Sequence, residues 1–250
     1  MQLAALIAMP RAAAAACLAP IARWSAWDSA SRGGAAPDVG FVEPLLRRRL
    51  SSLAKISLRV AHDCVHDVKD FRLVHASRHG ELKRTAGMLE QIADGEIPSP
   101  TAFSLAVPNA TAGIYSMIRE NRAASTALAS GASTFGFGLV EASLQFAADP
   151  TSPVLLVYAD EPVPEVYAGL TEQAKSAVAV ALLLSSGGSA TVECRFEPDH
   201  GAASREPQFA SFLRCLERGG TSSWTGDGRR WEWTLLRTDA APREPKAREP

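Results

Sequence analysis

Between Ala123 and Phe146 the sequence lays out a strand, a sharp turn and a helix, the arrangement that presents a nucleophile at a helix N-terminus. Residues Ala123 to Ser130 are small and β-compatible, Gly131 breaks the run, and Phe135, Leu139, Ala142 and Phe146 recur at helical spacing. A cysteine at this turn would have a depressed thiol pKa and would attack a carbonyl carbon. The residue there is Ala132, which offers no attacking atom.

Other groupings carry weaker signals. Gly131-Ala132-Ser133-Thr134-Phe135 is one residue short of a Gly-x-Ser-x-Gly elbow, so Ser133 could serve a hydrolase with Asp160 or Asp199 and His200. Phe135 replaces the last glycine and would crowd the turn, and Ser133 has a simpler use as a helix N-cap. Ser52-Leu53-Ala54-Lys55 matches Ser-x-x-Lys, but lies inside an amphipathic helix with no Lys-Thr-Gly downstream. His62, Cys64 and His66 resemble a ligand set, yet on a helix Cys64 points away from both histidines, so no metal site is expected. Arg47, Arg48 and Arg49 form a basic run, read as a solvated helix face or as a dock for an acidic carrier protein. No cofactor motif stands out.

The elements that must position these residues alternate between helix and strand. Gln2 to Met9 is expected as a first strand, followed by a Pro/Gly/Ser-rich loop through Gly40. Pro44 opens a helix to about Val65, with Leu46, Leu50, Leu53, Ser57, Ala61 and Cys64 on one face. Phe71 to Ala76 reads as a strand and Glu81 to Ala93 as a helix closed by Gly95. Ser99-Pro100 starts another helix, and Asn109 caps one running to about Glu120. Val154 to Ala159 is a buried strand; Ala177 to Leu184 and Ala190 to Phe196 read as a hairpin joined by Ser-Ser-Gly-Gly-Ser. Beyond about His200, Phe209 to Leu216 reads as a short helix and Trp231 to Leu236 as a short strand. The Pro-rich charged end, APREPKAREP, is expected to be disordered. The pattern is that of a layered α/β domain over residues 1–200 with a C-terminal extension over 201–250.

With 250 residues, 46% of them hydrophobic, the chain can bury a sizeable core. A net charge of -1 argues against nucleic-acid or membrane-surface binding, which need a basic face. Cys17, Cys64, Cys194 and Cys215 show no Cys-x-x-Cys pairing, consistent with reduced thiols in the cytoplasm. The Ala-rich N-terminus lacks a basic n-region and is interrupted by Pro10 and Arg11, so secretion is not expected, and no run is long and apolar enough for a membrane span.

Residues Ser99 to Ala142 resemble the β-ketoacyl synthases of the thiolase fold, in which a Ser-Pro start, an Asn-x-x-Ala-Gly helix and a strand-Cys-helix turn recur. The Asn-x-x-Ala-Gly element here runs from Asn109 to Gly113. Counting forward from Asn109 and backward from Ala142 both place the family's nucleophile at Ala132. Ala76 to Leu82 resembles the family's Gly-rich turn near its dimer interface, Leu45 to Leu58 its early helix, and Asp160-Glu161-Pro162 follows the expected strand. The resemblance covers roughly residues 40 to 196. It implies a thiolase-like layered fold, N-terminal half only, with a mixed sheet flanked by helices. The family's two catalytic histidines belong to the other half, and nothing here resembles their surroundings.

The resemblance further implies a noncatalytic, chain-length-factor-like partner of a full-length β-ketoacyl synthase in fatty acid or polyketide synthesis of the aryl polyene type. In such pairs a partner's side chains close the far end of the acyl tunnel. By position, His79 and Thr101 to Phe103 would face that interface, with Tyr115 and Met117 on the following helix, where helical spacing also suits ordinary core. Pro108 stands where a histidine is expected before the asparagine. An active acyltransferase working through other residues, and a serine hydrolase using Ser133, are the rival readings.

Overall fold

Val154–Asp160 is apolar at consecutive rather than alternate positions, and its two neighbours explain why. This strand, β4, pairs in parallel with β2 (Arg72–Ala76) and antiparallel with β5 (Val178–Leu184), so both of its faces are covered. Leu155, Val157 and Ala159 join one core with Ala179, Ala181 and Leu183, while Val154 and Leu156 join a second with Val180, Leu182 and Leu184. The two-residue side-chain period of a strand thus divides one apolar run between two layers. The computed structural model describes residues 15–170, 175–188 and 190–238. The expected strand at Gln2–Met9 and the expected disordered tail lie outside the described residues.

Among the described residues eight strands form one mixed sheet in the order β3-β2-β4-β5-β1-β6-β8-β7, where β1 is Ala15–Asp28, β3 Ser125–Leu128, β6 Ala190–Pro198, β7 Thr221–Gly226 and β8 Arg229–Thr238. One core holds α2 (Ser52–Val65) and α5 (Ala110–Ile118); the other holds α6 (Thr134–Ala148) and α7 (Gln208–Arg218). The described residues also form α1 (Pro44–Arg47), α3 (Leu82–Ala93) and α4 (Pro100–Ser104), with a short 3-10 turn at Glu165–Tyr167. The result is the mixed, helix-flanked sheet of a thiolase-like half.

Four expectations are corrected. Residues 15–28, expected as loop, are the long central strand β1. β1 separates β5 from β6 and pairs antiparallel with both, so those strands are not a hairpin; its apolar residues satisfy two ladders at once. The helix expected over Pro44–Val65 breaks at Ser51, whose hydroxyl accepts the Ala54 amide at 2.9 Å and starts α2 afresh. Past residue 200 the sheet continues: β8 pairs with β6 and β7 with β8, and α7 packs in the second core with Trp231 and Trp233. The two tryptophans are fully buried against Phe135, Phe137, Phe196 and Phe212.

Candidate functional site

The turns at the carboxyl ends of β2, β3 and β4 lie together at one end of these strands, as the parallel ladder between them requires. Ala132 sits in the β3–α6 turn, partly buried against the second core. Gly131 before it has φ +56°, the left-handed region that glycine enters without strain. Two amides at the start of α6 are taken up by side chains from later elements. Asp227 Oδ2 accepts the Ser133 amide at 3.0 Å, and Gln208 Oε1 accepts the Gly136 amide at 2.7 Å. The Thr134 hydroxyl donates to the Gly131 carbonyl at 2.7 Å and accepts the Ser130 amide at 2.9 Å.

Asp227 reaches this turn from the tip of the β7–β8 hairpin. Gly226 and Arg229 are register partners, leaving Asp227 and Gly228 as a two-residue loop with φ +50° and +68°. Positive φ at both positions is the signature of a type I′ turn, for which Asp-Gly is a preferred pair. That dipeptide, between alternating tryptophan-bearing runs, is the sequence signal that could have found the hairpin and, with it, Asp227. The carboxylate fits so closely that a Cβ at Gly131 would lie 2.9 Å from Asp227 Oδ2. A carboxylate at a helix N-terminus is favourable both to the amide and to the helix dipole. Trp231, further along β8, donates its indole N–H to Ser133 Oγ at 3.3 Å, and its ring fills the space beside Gly136, where a Cβ would meet it at 2.8 Å.

Ser133 is therefore not placed as a nucleophile. It is 0% exposed and its hydroxyl faces an indole rather than a base. It is the N-cap residue of α6, but its side chain makes no cap bond, and the Thr134 hydroxyl instead braces the preceding turn through Ser130 and Gly131. Asp160, its suggested partner, is committed elsewhere. Asp160 Oδ1 accepts from the Ser77 hydroxyl at 3.0 Å and the amides of Arg78 and His79 at 2.9 and 3.3 Å, and Oδ2 accepts from the Tyr158 hydroxyl at 2.7 Å. Burial raises the Asp160 pKa, while the Tyr158 and Ser77 hydroxyls oppose that rise. Ser52 donates to Glu161 Oε2 at 2.5 Å, and Lys83 donates to the same oxygen at 2.9 Å. Cys64 faces the sheet and donates to the Ala181 carbonyl at 3.5 Å, whereas His62 stacks on Phe41.

The remaining site residues fall in three places. Thr101 lines an open cleft of about 550 Å³ with Arg48, Arg49, Arg84, Ser99 and Leu105. Phe103 and Met117 are exposed, at 67% and 68%. Tyr115 is in the core: two positions apart on a helix is a rotation of about 200°, so Tyr115 and Met117 cannot share a face. The Tyr115 hydroxyl and His75 Nε2 are buried without partners and line a common cavity of about 10 Å³, with Ser57 and Thr111. His79 is half-buried in the β2–α3 turn, its imidazole pKa lowered by burial against the opposing pull of Asp160. Arg47 lies on α1. Among the described residues no cluster of three or more His, Cys, Asp or Glu is arranged to hold a metal, and no helix is long and apolar enough to cross a membrane.

Residues 22–234 match the family described as β-ketoacyl synthase, N-terminal domain. No curated protein matches the chain. Among solved structures, a chain of the ketosynthase (ApeO) in complex with its chain length factor (ApeC) from Xenorhabdus doucetiae is similar at 25% identity and TM-score 0.75. The match covers 87% of this chain and 99% of that one. The ishigamide ketosynthase/chain length factor shares the fold at 14% identity and TM-score 0.56, over 81% of this chain and 73% of that chain. A type II polyketide ketosynthase structure with its acyl-carrier protein, AntDE:AntF, does so at 12% identity and TM-score 0.50, over 73% and 70%.

Proposed function

The chain belongs to the β-ketoacyl synthase N-terminal-domain family, and on that footing we propose that it is a noncatalytic, chain-length-factor-like partner of a complete β-ketoacyl synthase. The observation that carries this reading is an alanine at position 132 beside a helix N-terminus on which the Asp227 carboxylate already sits. Condensation by this fold needs an attacking atom and N–H donors free to meet a developing oxyanion. Residue 132 is alanine, and the Ser133 amide is bound to the Asp227 carboxylate, whose charge would repel an oxyanion there. The likeness to a chain from a ketosynthase–chain length factor complex, matched almost end to end, supports the partner role.

In this reading the partner is a full-length ketosynthase of fatty acid or polyketide assembly, of the aryl polyene type. β3 is the outermost strand at its end of the sheet and is only partly buried, so its edge is available for pairing. Phe103 and Met117 contact the partner, with Thr101 at the boundary between that surface and the arginine cleft, and His79 closes the tunnel end. Tyr115 supports α5 from inside. The Arg48, Arg49 and Arg84 cleft, extended by Arg47, receives an acidic acyl carrier protein by charge complementarity.

Co-expression with a ketosynthase from a neighbouring gene tests the reading: the two are expected to co-purify, and this chain alone to form no covalent adduct with acyl carrier thioesters. An acyl adduct on this chain would overturn the noncatalytic role. His79→Phe is expected to shorten the products of the reconstituted pair, and unchanged lengths would remove His79 from the tunnel.

A further inference from the structure

Two of the four cysteines oppose each other across the middle of the sheet. Cys17 on β1 and Cys194 on β6 are register partners in an antiparallel pair, although far apart in the chain. Directly opposed residues on such strands have Cα atoms about 4.5 to 5.5 Å apart, inside the roughly 4.4 to 6.8 Å that a disulfide spans. Both side chains lie on the face covered by α6 and α7, with Ser143 of α6 and Trp233 of the neighbouring strand β8 close to them. The two thiols interact with each other, the Ser143 hydroxyl with Cys17 and the buried Trp233 indole with Cys194. That indole N–H has no oxygen or nitrogen partner of its own.

Neither of the other cysteines faces a second thiol. Cys64 and Cys215 are buried, their thiols are directed at backbone carbonyls, and burial pushes both pKa values up. Cys17 is partly exposed. Its interaction with the Cys194 thiol lowers its pKa to about 7, and the same contact raises that of Cys194. One thiol of the pair is thus reachable and ionisable, and the other is buried beside it as a ready second nucleophile.

We propose that Cys17 and Cys194 form a reversible dithiol–disulfide site that responds to hydrogen peroxide, with Cys17 as the attacking and Cys194 as the resolving thiol. The Cys17 thiolate attacks one peroxide oxygen, the O–O bond breaks, and hydroxide leaves a sulfenic acid on Cys17. Cys194 sulfur then attacks the Cys17 sulfur, the S–O bond breaks, and a second hydroxide leaves. The protons of the two thiols neutralise the two hydroxides, so two thiols lose two electrons and one peroxide becomes two waters. Because the partners are already register neighbours, the bond staples β1 to β6 without rearranging the sheet.

The test is peroxide treatment of the full chain, followed by alkylation in denaturant and peptide mapping. The expected result is loss of two of the four alkylatable thiols, a species lighter by two hydrogens, and one cross-linked peptide joining Cys17 to Cys194, all reversed by dithiothreitol. Cys194→Ser is expected to leave Cys17 to oxidise further to a sulfinic acid, and Cys17→Ser to leave Cys194 reduced. Four free thiols after a treatment that oxidises glutathione would overturn the proposal, as would Cys17 over-oxidised in the unaltered chain with Cys194 still free.

Discussion

At residue 132 the question is what a nucleophile would meet if it were restored. A cysteine at a helix N-terminus has its thiolate favoured by the amides and the dipole. Here the Asp227 carboxylate already sits on that terminus, and a neighbouring negative charge disfavours a thiolate. Ala132→Cys is therefore expected to alkylate with a midpoint at or above the ordinary thiol value of about 8.5. In Ala132→Cys with Asp227→Asn the midpoint should fall by about one pH unit or more, read from iodoacetamide rates against pH; a single variant titrating near 6 would refute the account. The vacated position is legible from sequence because spacing on both sides of it converges. Asp227 is not, because its contact depends on a hairpin beyond the resemblance, and only Asp227-Gly228 announces it. A second residue-scale effect concerns His75, whose buried imidazole has its pKa lowered to about 4 by desolvation. The unfolded chain takes up this proton near 6.5 and the folded chain does not, so His75 costs stability as pH falls from 6.5 toward 4. The loss is on the order of 3 kcal/mol over the window. Burial raises the Asp160 and Glu81 pKa values, which acts in the opposite direction. The clean readout is therefore a difference: the drop in urea midpoint from pH 7 to pH 5 should be smaller in His75→Phe than in the unaltered chain.

At the scale of elements, α6 shows how close approach substitutes for side-chain chemistry. Gly136 and Gly138 let the helix lie against Trp231 on one side and against Ala76 and Leu156 on the other, with would-be Cβ contacts of 2.8 to 3.1 Å. Gly136→Ala must displace an indole that is already stacked on Phe196 and Trp233, so it is expected to destabilise the fold by about 1 to 3 kcal/mol. Gly87, in the interior of α3, has nothing within 4 Å of the place a methyl would take; Gly87→Ala is expected to stabilise by about 0.5 to 1 kcal/mol through helix propensity alone. Urea denaturation of the two variants distinguishes packing from propensity, and equal effects of one sign would contradict the argument. The same contrast explains which elements can be read in advance. β4, α3, α5 and α6 carry their own period or run in the sequence, and are legible there to within a few residues. β1 is not, because its role is set by two partner strands, β5 and β6, and not by a local pattern around Trp24 and Trp27. The break at Ser51 escapes a periodicity argument because Leu46, Leu50 and Leu53 keep helical spacing across a cap.

At the scale of the molecule, the sheet has unlike ends. At one end β7 is an antiparallel strand held in a hairpin with β8; at the other end β3 is a short parallel strand whose residues are only partly buried. Parallel strands are ordinarily covered on both faces, so a four-residue parallel strand at an open edge calls for cover from another chain. The segment from α3 to α5, of which α5 packs against β3, exposes Leu89, Ile92, Ile97, Phe103 and Met117, and exposed apolar surface of this kind marks interaction sites when it is contiguous. In the proposed assembly these residues meet the ketosynthase while the arginine cleft stays open to a carrier. Phe103→Glu combined with Met117→Lys should leave the unfolding free energy of the isolated chain, from urea denaturation, within about 0.5 kcal/mol of its starting value, since both side chains face solvent. Against the ketosynthase the same pair of charges would be buried at an interface without partners, a loss of about 2 kcal/mol or more, read as a weakening of association by at least about tenfold. Arg48→Glu with Arg49→Glu should spare that association and weaken carrier-protein binding in a salt-dependent way. If the charge reversals at the cleft abolished pairing with the ketosynthase, while Phe103 and Met117 did not matter, the two surfaces would have to be exchanged and the orientation of the partner reassigned.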